Sequence, residues 1–503
     1  MKQLSGIDTA FLNLEMQRTP MHIGGVYLFE GETPDGVFDF ERFREHMRNR
    51  LMVSPVFRRR LLEVPLNLDH PYWIEDADFD VDLHLQHIGL PRPGGMRELM
   101  TLAGQQFARP LDRSRPLWEI TFVEGLRAGD GLPPGAVALI AKVHHAAVDG
   151  ISGEEIMASL LDLSAVPRQI TTEQSWLPDG IPNPVQLLFH GVKTTLRSPP
   201  RGVALIRTLG STLTKSIRER ILSNSTLPPA LFSAPYTITN GAVSTRRVFG
   251  GAQLPLARIN AIRNAVPGTV TMNDVVLTIC SGALRRYLHE REILPDESLV
   301  AMAPISVRKR HEQKSGGNRI FAMLVSLATQ EPNALRRLEM VRSSVRASLQ
   351  YKKAVEAAQL AEGMPAAAAS LATRWYVRNQ ISQKHRPWFN VVITNVPGLN
   401  RPLYMAGAKL LSQCGSGPII DGVGLIIVIT SYNGMVGLGM TSCKEIFPDI
   451  DQLARHMYAA LDELEAAVKP PAPAKLEHAD AAGTRKLTDG SKPAKEGGVL
   501  QQH

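Results

Sequence analysis

The stretch KVHHAAVDGISGEE, residues 142–155, decides how the rest of the sequence is interpreted. It places two adjacent histidines, His144 and His145, within a few residues of Asp149 and Gly150. A chain of this length and composition should contain such a spacing by chance only about once or twice per thousand sequences. Asp-Gly is also common in turns, and a histidine beside a strand end is often structural. The spacing favours a chemical role over this structural alternative.

The residues around this stretch predict its local structure. Residues 116–140 indicate a strand, a turn rich in Gly and Pro, and a second strand that begins near Ala136. A helix is expected after Ser152, because Ser152 and Glu155 have the spacing of a capping box. The histidines are therefore expected in a loop between a strand and a helix.

The residue types point to acid–base chemistry at His145. A histidine with a pKa near neutrality can take the proton of an alcohol while that alcohol attacks a carbonyl. Asp149 could hold the tight loop by pairing with a nearby cation, and Gly150 permits backbone conformations that other residues avoid. A metal site is the alternative, since two histidines and a carboxylate suit zinc or iron. Adjacent side chains point in different directions, however, and the sequence has neither HExxH nor a cysteine pair.

Several other classes of enzyme lose their usual support. The sequence contains no GxxxxGK[ST] loop, no GxGxxG after a strand and no GxSxG elbow. These absences count against nucleotide hydrolysis, dinucleotide redox chemistry and α/β-hydrolase catalysis. A transferase that uses a histidine base remains.

Length and composition predict a globular protein of two domains. The chain has 503 residues, of which 44% are hydrophobic and 21% are charged. Its apolar stretches are shorter than a membrane span, and its first residues lack the apolar core of a signal peptide, so a cytosolic location is expected. The three cysteines, Cys280, Cys414 and Cys443, lack the spacing of a zinc or redox site and are expected to be reduced and buried.

The positive charge is concentrated in one segment. The formal net charge is +8, and residues 180–247 contain nine Lys or Arg against the single acid Glu219. Five apolar residues at a spacing of four, with basic residues opposite, predict an amphipathic basic helix over residues 205–221. Such a helix either packs on the protein as a crossover with a solvated basic face or contacts an anionic surface.

The second half of the chain has its own pattern of helices and strands. A folded region is expected to begin near Arg246, with a helix at NDVVLTICSGALRRYL and strands at NVVITNV and GVGLIIVITSYNGMVGLGMTS. Strands and helices in both halves indicate an α/β or α+β fold. Residues 469–503 are rich in Pro, Ala, Gly and charge, and they are expected to be disordered.

Short motifs along the chain resemble one known family. PMHIGG at residues 20–25, PLW at 116–118, ND at 273–274 and NVVITNVPG at 390–398 accompany the HHxxxDG motif of residues 144–150. Together they resemble the bacterial wax ester synthase/diacylglycerol acyltransferase family, within the CoA-dependent acyltransferase superfamily. The resemblance extends over most of the chain, to about residue 465.

This resemblance implies two chloramphenicol-acetyltransferase-like domains, each a mixed sheet with helices, and an active-site tunnel where the two domains meet. The expected division is an N-terminal domain at 1–180, a basic amphipathic crossover linker at 181–245, a C-terminal domain at 246–468 and a disordered tail at 469–503.

The resemblance also implies roles for individual residues. His145 corresponds to the general base, His144 supports it, and Asp149 is a structural anchor that pairs with an arginine such as Arg308. Asn273 is either a polar partner near the reacting centre or a cap of its own helix. The other motif residues are expected to shape the site rather than to react: Gly150, Pro116, Leu117, Trp118, Asn395, Pro397 and Gly398.

The implied activity is acyl transfer from acyl-CoA to the hydroxyl of diacylglycerol, and also to long-chain alcohols to give wax esters. Acyl-CoA is then a substrate, and no cofactor or metal is expected. The expected location is cytoplasmic, with peripheral association at the inner face of the plasma membrane and at lipid droplets, and without nucleic acid as a partner. Two alternatives remain open: acyl transfer from a carrier protein, as in condensation domains, and a lipid-droplet binding protein that has lost its activity.

Overall fold

The run VALIAKVH forms a strand, Val137–His144, in which every residue is buried. Apart from Lys142 and His144 the run is apolar, which is typical of a strand that is covered on both faces. The computed structural model of the protein describes residues 1–51, 55–65, 69–129, 131–148, 159–168, 229–230, 232–306, 320–351 and 385–468.

Most strands belong to two six-stranded sheets. In chain order, the strands within the described residues are β1 Lys2–Gln3, β2 His22–Phe29, β3 Glu32–Thr33, β4 Gly36–Val37, β5 Arg59–Leu62, β6 Tyr72–Glu75, β7 Leu85–Gly89, β8 Trp118–Glu124, β9 Val137–His144, β10 Arg247–Pro255, β11 Val300–Ser306, β12 Ile320–Ser326, β13 Val391–Val396, β14 Tyr404–Met405, β15 Ala408–Ser416, β16 Ile426–Tyr432 and β17 Met435–Cys443.

Helices pack against these sheets. Those within the described residues are α1 Gly6–Leu14, α2 Phe40–Arg50, α3 Met96–Ala108, α4 Leu256–Ala265, α5 Met272–His289, α6 Ala334–Tyr351 and α7 Ile450–Val468.

The first sheet has the order β14-β15-β2-β9-β8-β7. Its strands are antiparallel except for the parallel pair β7 and β8, so the sheet is mixed. Strands β8 and β9 pair as neighbours across the Gly/Pro turn, which confirms the hairpin predicted from residue 116 onward. Apolar clusters cover both faces of this sheet, so the central strand β9 is closely packed on either side.

Two strands of the first sheet come from far along the chain. Strand β15 pairs with β2, and β14 pairs with β15, although both follow residue 400. Strand β15 also lies against β17 of the second sheet, where side chains would not fit: a Cβ atom on Gly439 would lie 1.8 Å from the carbonyl oxygen of Gly415. Glycine is needed here for close backbone approach. The division into domains at 180, 245 and 468 stays a prediction, and Met1–Val468 form one compact unit.

The second sheet has the order β10-β17-β16-β13-β11-β12 and is also mixed. Strand β13 runs parallel to both β11 and β16, whereas the other neighbours are antiparallel. Helix α5 lies within its core and was predicted correctly, but it is buried on nearly every side from Asp274 to Leu284. The apolar spacing predicts a single buried face of α5. In the structure α6 and α7 cover its other faces.

Some sequence predictions lie outside the described residues. They are the capping box at Ser152 and Glu155, the basic helix at 205–221 and the tail at 469–503. Two arginines counted with the basic segment are described, and both make internal contacts. Arg246 pairs with Glu445, and the buried Arg247 donates to the carbonyl of Arg18 at 2.5 Å. Arg247 is therefore engaged inside the protein, whereas Arg246 is paired at the surface with its side chain 67% exposed.

Candidate active site

The two histidines of the motif lie where β9 ends. His144 is the last residue of the strand and faces His22 of β2 in the antiparallel register. His145 begins a short 3₁₀ turn, His145–Ala147, and its backbone N–H donates to the carbonyl of Met21 at 2.8 Å. The strand end and the neighbouring strand β2 therefore fix the backbone of both histidines.

His144 is fully buried and its ring caps this turn. The Nδ1 atom accepts a hydrogen bond from the backbone N–H of Ala146 at 3.1 Å. A nitrogen that accepts a hydrogen bond carries no proton, so a ring proton of His144 is on Nε2. The Nε2 atom lies 3.4 Å from Oε1 of Glu15, which is ion-pair distance but longer than a well-formed hydrogen bond.

Glu15 follows the C-terminal end of α1 and its side chain is almost fully buried. Burial alone would raise the pKa of Glu15, but His144 and Arg113 outweigh it and lower the pKa to about 2. Arg113 donates to Oε2 of Glu15 from two guanidinium nitrogens, at 3.0 and 2.7 Å. The carboxylate is therefore ionised beside His144.

His145 is the partly exposed member of the pair. The Phe11 ring stacks on it with centroids 3.7 Å apart and 16° between the planes. Burial, followed by the neighbouring His144, lowers the pKa of His145 to about 4. Its Nδ1 atom is buried, and among the described residues it has no partner other than the carbonyl of His145 itself. The ring is therefore neutral at physiological pH, and the burial of Nδ1 leaves Nε2 as the nitrogen that a substrate could reach.

Two further ionisable side chains lie next to the histidine pair. His22 is buried, its Nε2 donates to the carbonyl of Phe107 at 2.9 Å, and burial together with the charge of Lys142 lowers its pKa to about 3. Lys142 is buried in β9; its ammonium lies 3.0 Å from Glu119 and donates to two backbone carbonyls. Burial lowers the pKa of Lys142 as well.

The PLW residues support the strand end. The carbonyl of Leu117 accepts the backbone N–H of His144 at 2.9 Å, and the Pro116 carbonyl accepts that of Trp118. Trp118 is buried; its indole N–H donates to the carbonyl of Phe57 at 2.8 Å. Its indole also stacks on the ring of His84, in the turn before β7. These contacts are packing and backbone contacts.

The asparagines of the two later motifs meet each other. Asn395 in β13 donates from Nδ2 to Oδ1 of Asn273, at the limiting distance of 3.5 Å. Thr271 caps helix α5, with Asp274 completing its capping box, so the alternative that Asn273 caps this helix is wrong. The Oδ1 atom of Asn395 is buried and has no hydrogen-bond partner within the described residues.

The turn after β13 contains Pro397 and Gly398. Gly398 donates its backbone N–H to the hydroxyl of Ser431 at 3.0 Å, which ties this turn to β16. The described residues include no hydrogen bond between the asparagine pair and the histidine pair. Asp149, Gly150 and Arg308 lie outside the described residues.

Glu15, Phe11, Arg113 and His22 were missed from the sequence. His22 was within reach, because it belongs to the PMHIGG motif that accompanies the histidines. The other three carry no local signal, since Glu15 and Arg113 are 98 residues apart in the chain. Only the fold brings them to the strand end.

Comparisons with known proteins agree with this architecture. Residues 4–276 match the model of the wax ester synthase/diacylglycerol acyltransferase catalytic domain, and residues 316–465 match the C-terminal domain of the same proteins. The O-acyltransferase WSD of Acinetobacter baylyi is 33% identical, over 93% of this chain and 98% of its own. A candidate diacylglycerol O-acyltransferase of Mycobacterium tuberculosis is 31% identical, over 92% of this chain and 90% of its own.

Solved structures show the same fold. The wax ester synthase/diacylglycerol acyltransferase from Marinobacter aquaeolei VT8 is 28% identical, with a TM-score of 0.66 over 93% of this chain and all of that one. The first condensation domain of the CDA synthetase has a TM-score of 0.52 at 13% identity, over 93% and 97% of the two chains, a likeness of fold alone.

The predicted fold class is thereby confirmed: the protein has the chloramphenicol-acetyltransferase-like architecture of mixed sheets with helices. The chain belongs to the wax ester synthase/diacylglycerol acyltransferase family, and it is an acyltransferase. Within the described ranges, none of the helices is long and apolar enough to cross a bilayer. Nor do three His, Cys, Asp or Glu side chains of those ranges cluster as metal ligands would.

Proposed function

We propose that the protein transfers the acyl group of an acyl-CoA to the hydroxyl of diacylglycerol, which makes triacylglycerol, with His145 as the general base. Long-chain alcohols are the second class of acceptor and give wax esters. The observation that carries the proposal is the His145 ring, which is stacked on Phe11 and kept neutral by burial. The names of the relatives support the choice of substrates.

The reaction follows from this geometry. Nε2 of His145 takes the hydroxyl proton as the acceptor oxygen attacks the thioester carbonyl, and a C–O bond forms. Hydrogen-bond donors stabilise the oxyanion of the tetrahedral intermediate. The C–S bond then breaks, His145 returns its proton to the departing thiolate, and CoA leaves as the free thiol. No electrons are exchanged with an outside reagent, so the step itself requires no redox cofactor.

The remaining motif residues have supporting roles in this proposal. Asp149 anchors the loop by pairing with an arginine such as Arg308, and Gly150 allows the loop to turn tightly. The carboxamide of Asn273 lies near the reacting centre as a polar partner. The two substrates enter a tunnel between the domains from opposite faces.

The location of the protein is part of the proposal. Diacylglycerol dissolves in membranes and lipid droplets rather than in water, so the enzyme acts in the cytoplasm at the inner face of the plasma membrane and at droplets. The basic residues of the segment 205–221 would contact anionic headgroups. Flotation with anionic liposomes tests this: charge reversal at Arg207, Lys215 and Arg218 should abolish binding, and unchanged binding would contradict it.

The catalytic experiment uses purified full-length protein with palmitoyl-CoA and either dioleoylglycerol or hexadecanol. Free CoA and the lipid product are measured for the wild type, His145→Ala and His87→Ala. His87 is a half-exposed histidine of β7 and serves as the matched control. Product formation that is lost only in His145→Ala supports the proposal. Turnover that persists in His145→Ala would overturn the role of the base, and the absence of turnover with both acceptors would overturn the substrates.

A further inference from the structure

We propose that Glu15 is a positioning residue of this site: it fixes the proton on His144 and thereby the turn that carries His145. The inference rests on the proposed role of His145 as the base. Glu15 does not contact the His145 ring, so its effect must pass through other groups. Two such routes are present.

The first route is the ring of His144. Its Nδ1 atom must be free of a proton to accept the N–H of Ala146 and so cap the turn of His145. The carboxylate of Glu15, 3.4 Å from Nε2, favours the tautomer whose proton is on that nitrogen. A second proton on Nδ1 would face the N–H of Ala146, so the doubly protonated ring would lose the cap. Glu15 and Ala146 together select one state of the ring.

The second route is the backbone of Met21. Oε1 of Glu15 accepts the N–H of Met21 at 3.1 Å, and the carbonyl of Met21 accepts the N–H of His145 at 2.8 Å. The same oxygen of Glu15 therefore lies next to the His144 ring, which caps the turn His145–Ala147, and next to Met21, whose carbonyl accepts the N–H of His145. A shift of this oxygen would be passed to His145 along both routes.

The carboxylate is itself held firmly. Arg113 makes two hydrogen bonds to Oε2 of Glu15, and it also donates to the carbonyl of Leu12 at the end of α1. The side chain of Glu15 is 7% exposed. Two hydrogen bonds from one guanidinium to a buried carboxylate oxygen define its position better than a single bond between exposed side chains would, although Arg113 itself is 35% exposed. Such an arrangement is suited to set the position of a neighbouring side chain.

The experiment compares Glu15→Ala with Glu15→Gln by steady-state kinetics with palmitoyl-CoA and dioleoylglycerol. Glu15→Ala should lower kcat by about 10²-fold, the effect of a small displacement of a catalytic group, while KM for palmitoyl-CoA changes little. Glu15→Gln should recover part of kcat, because its amide oxygen can accept from Met21 and lie beside Nε2 of His144, while its NH2 group then faces the N–H donors of Arg113. If Glu15→Ala does not fold, Glu15→Asp takes its place, and it should lose more kcat than Glu15→Gln because its shorter side chain withdraws the carboxylate from Met21 and His144.

Asp162→Ala is the control for a purely structural effect. Asp162 forms a buried ion pair with Arg50 at 2.6 Å, and neither residue contacts the histidines in the described structure. Its replacement should lower Tm at least as much as Glu15→Ala does and leave kcat unchanged. Comparable losses of kcat in Asp162→Ala and in both Glu15 variants would assign a structural role to Glu15 and overturn the proposal.

His145→Ala is measured in parallel to separate the two proposals. If His145→Ala is inactive and Glu15→Ala retains kcat within about twofold of the wild type, the positioning role is wrong and the base remains. If His145→Ala is active, the function proposed for His145 is wrong. A selective loss of kcat in Glu15→Ala, with recovery in Glu15→Gln, supports positioning.

Discussion

The ring of Phe11 lies almost parallel to the imidazole of His145, with 3.7 Å between the ring centroids. The contact joins helix α1 to the turn after β9. It covers one face of the imidazole and limits the rotation of the ring.

Replacing Phe11 with leucine should loosen this imidazole. Leucine keeps an apolar side chain but loses the flat face, so we expect kcat to fall about tenfold while Tm changes by only a few degrees. Steady-state kinetics and thermal unfolding measure the two effects. Phe79→Leu is a matched control, because Phe79 contacts the ring of His84 rather than the active-site pair. A Phe11→Leu enzyme with wild-type kcat would contradict the prediction.

The pKa of His145 predicts the acid limb of the pH profile. A base must be neutral to act, and burial lowers the pKa of His145 to about 4, so the ring stays neutral well below the usual value of 6.5. We expect kcat/KM to be flat from pH 8 to about 5 and to fall toward pH 4. A limb centred near 6.5 would contradict this.

Acid should also reduce the stability of the protein. The pKa values of His145 and His22, about 4 and about 3, are below those of the unfolded chain, so the unfolded state binds more protons as the pH falls below 6.5. The stability from these neutral rings is present above 6.5 and is lost as the pH falls through their folded pKa values. The Tm of the wild type should therefore decrease between pH 6.5 and 4. The Tm of His22→Gln should decrease less steeply over the same range. Equal slopes would contradict the assignment.

The buried Oδ1 of Asn395 predicts a separation of binding from stability. This oxygen has no hydrogen-bond partner in the described part of the chain, and the bond from Nδ2 of the same side chain to Asn273 is at the limiting distance of 3.5 Å, so truncation to alanine costs the folded protein little. We expect Asn395→Ala to leave Tm within about 2 °C. The KM of one substrate should rise by about five- to thirtyfold if that substrate donates to the oxygen. A large fall in Tm with unchanged KM values would show that the oxygen has a structural partner.

For Asn390 we expect a large loss of stability on truncation, in contrast to Asn395. Its side chain is buried and makes three hydrogen bonds: it accepts from the N–H of Val300, and it donates to the carbonyl of Pro235 and to Oδ1 of Asn240. Asn390→Ala removes all three bonds, although Oδ1 of Asn240 still accepts from Thr237, and should lower the free energy of unfolding by about 3 kcal/mol, measured in urea. Asn264→Ala, at an exposed position, should change it by no more than about 0.5 kcal/mol.

Local patterns in the sequence were sufficient for the elements that hold the motif. The apolar run before His144, the hairpin and helix α5 follow from hydrophobic periodicity and turn residues, which act over a few neighbouring residues. The identity of His145 as the candidate base follows from the motif. These features depend on short segments, so they could be predicted from the sequence.

The groups that hold the histidines could not be predicted in this way. Glu15 and Phe11 are ordinary residues of a short helix, and nothing in their neighbourhood in the chain indicates contact with a strand that comes much later. The sequence likewise does not indicate that β15 pairs with β2 in the first sheet, because the same apolar pattern would suit either sheet. Such contacts are fixed by tertiary packing, which overrides local preference.

Strand β15 has a consequence for building chimeras from related enzymes. A fragment that ends at residue 276, where the match to the catalytic domain ends, would contain His145 but not β15. The edge of β2 would then be open to pairing with other chains, which promotes aggregation. An exchange of N-terminal halves between relatives should therefore carry residues 404–416 with it, because the recipient would otherwise receive a catalytic sheet without its outer strands.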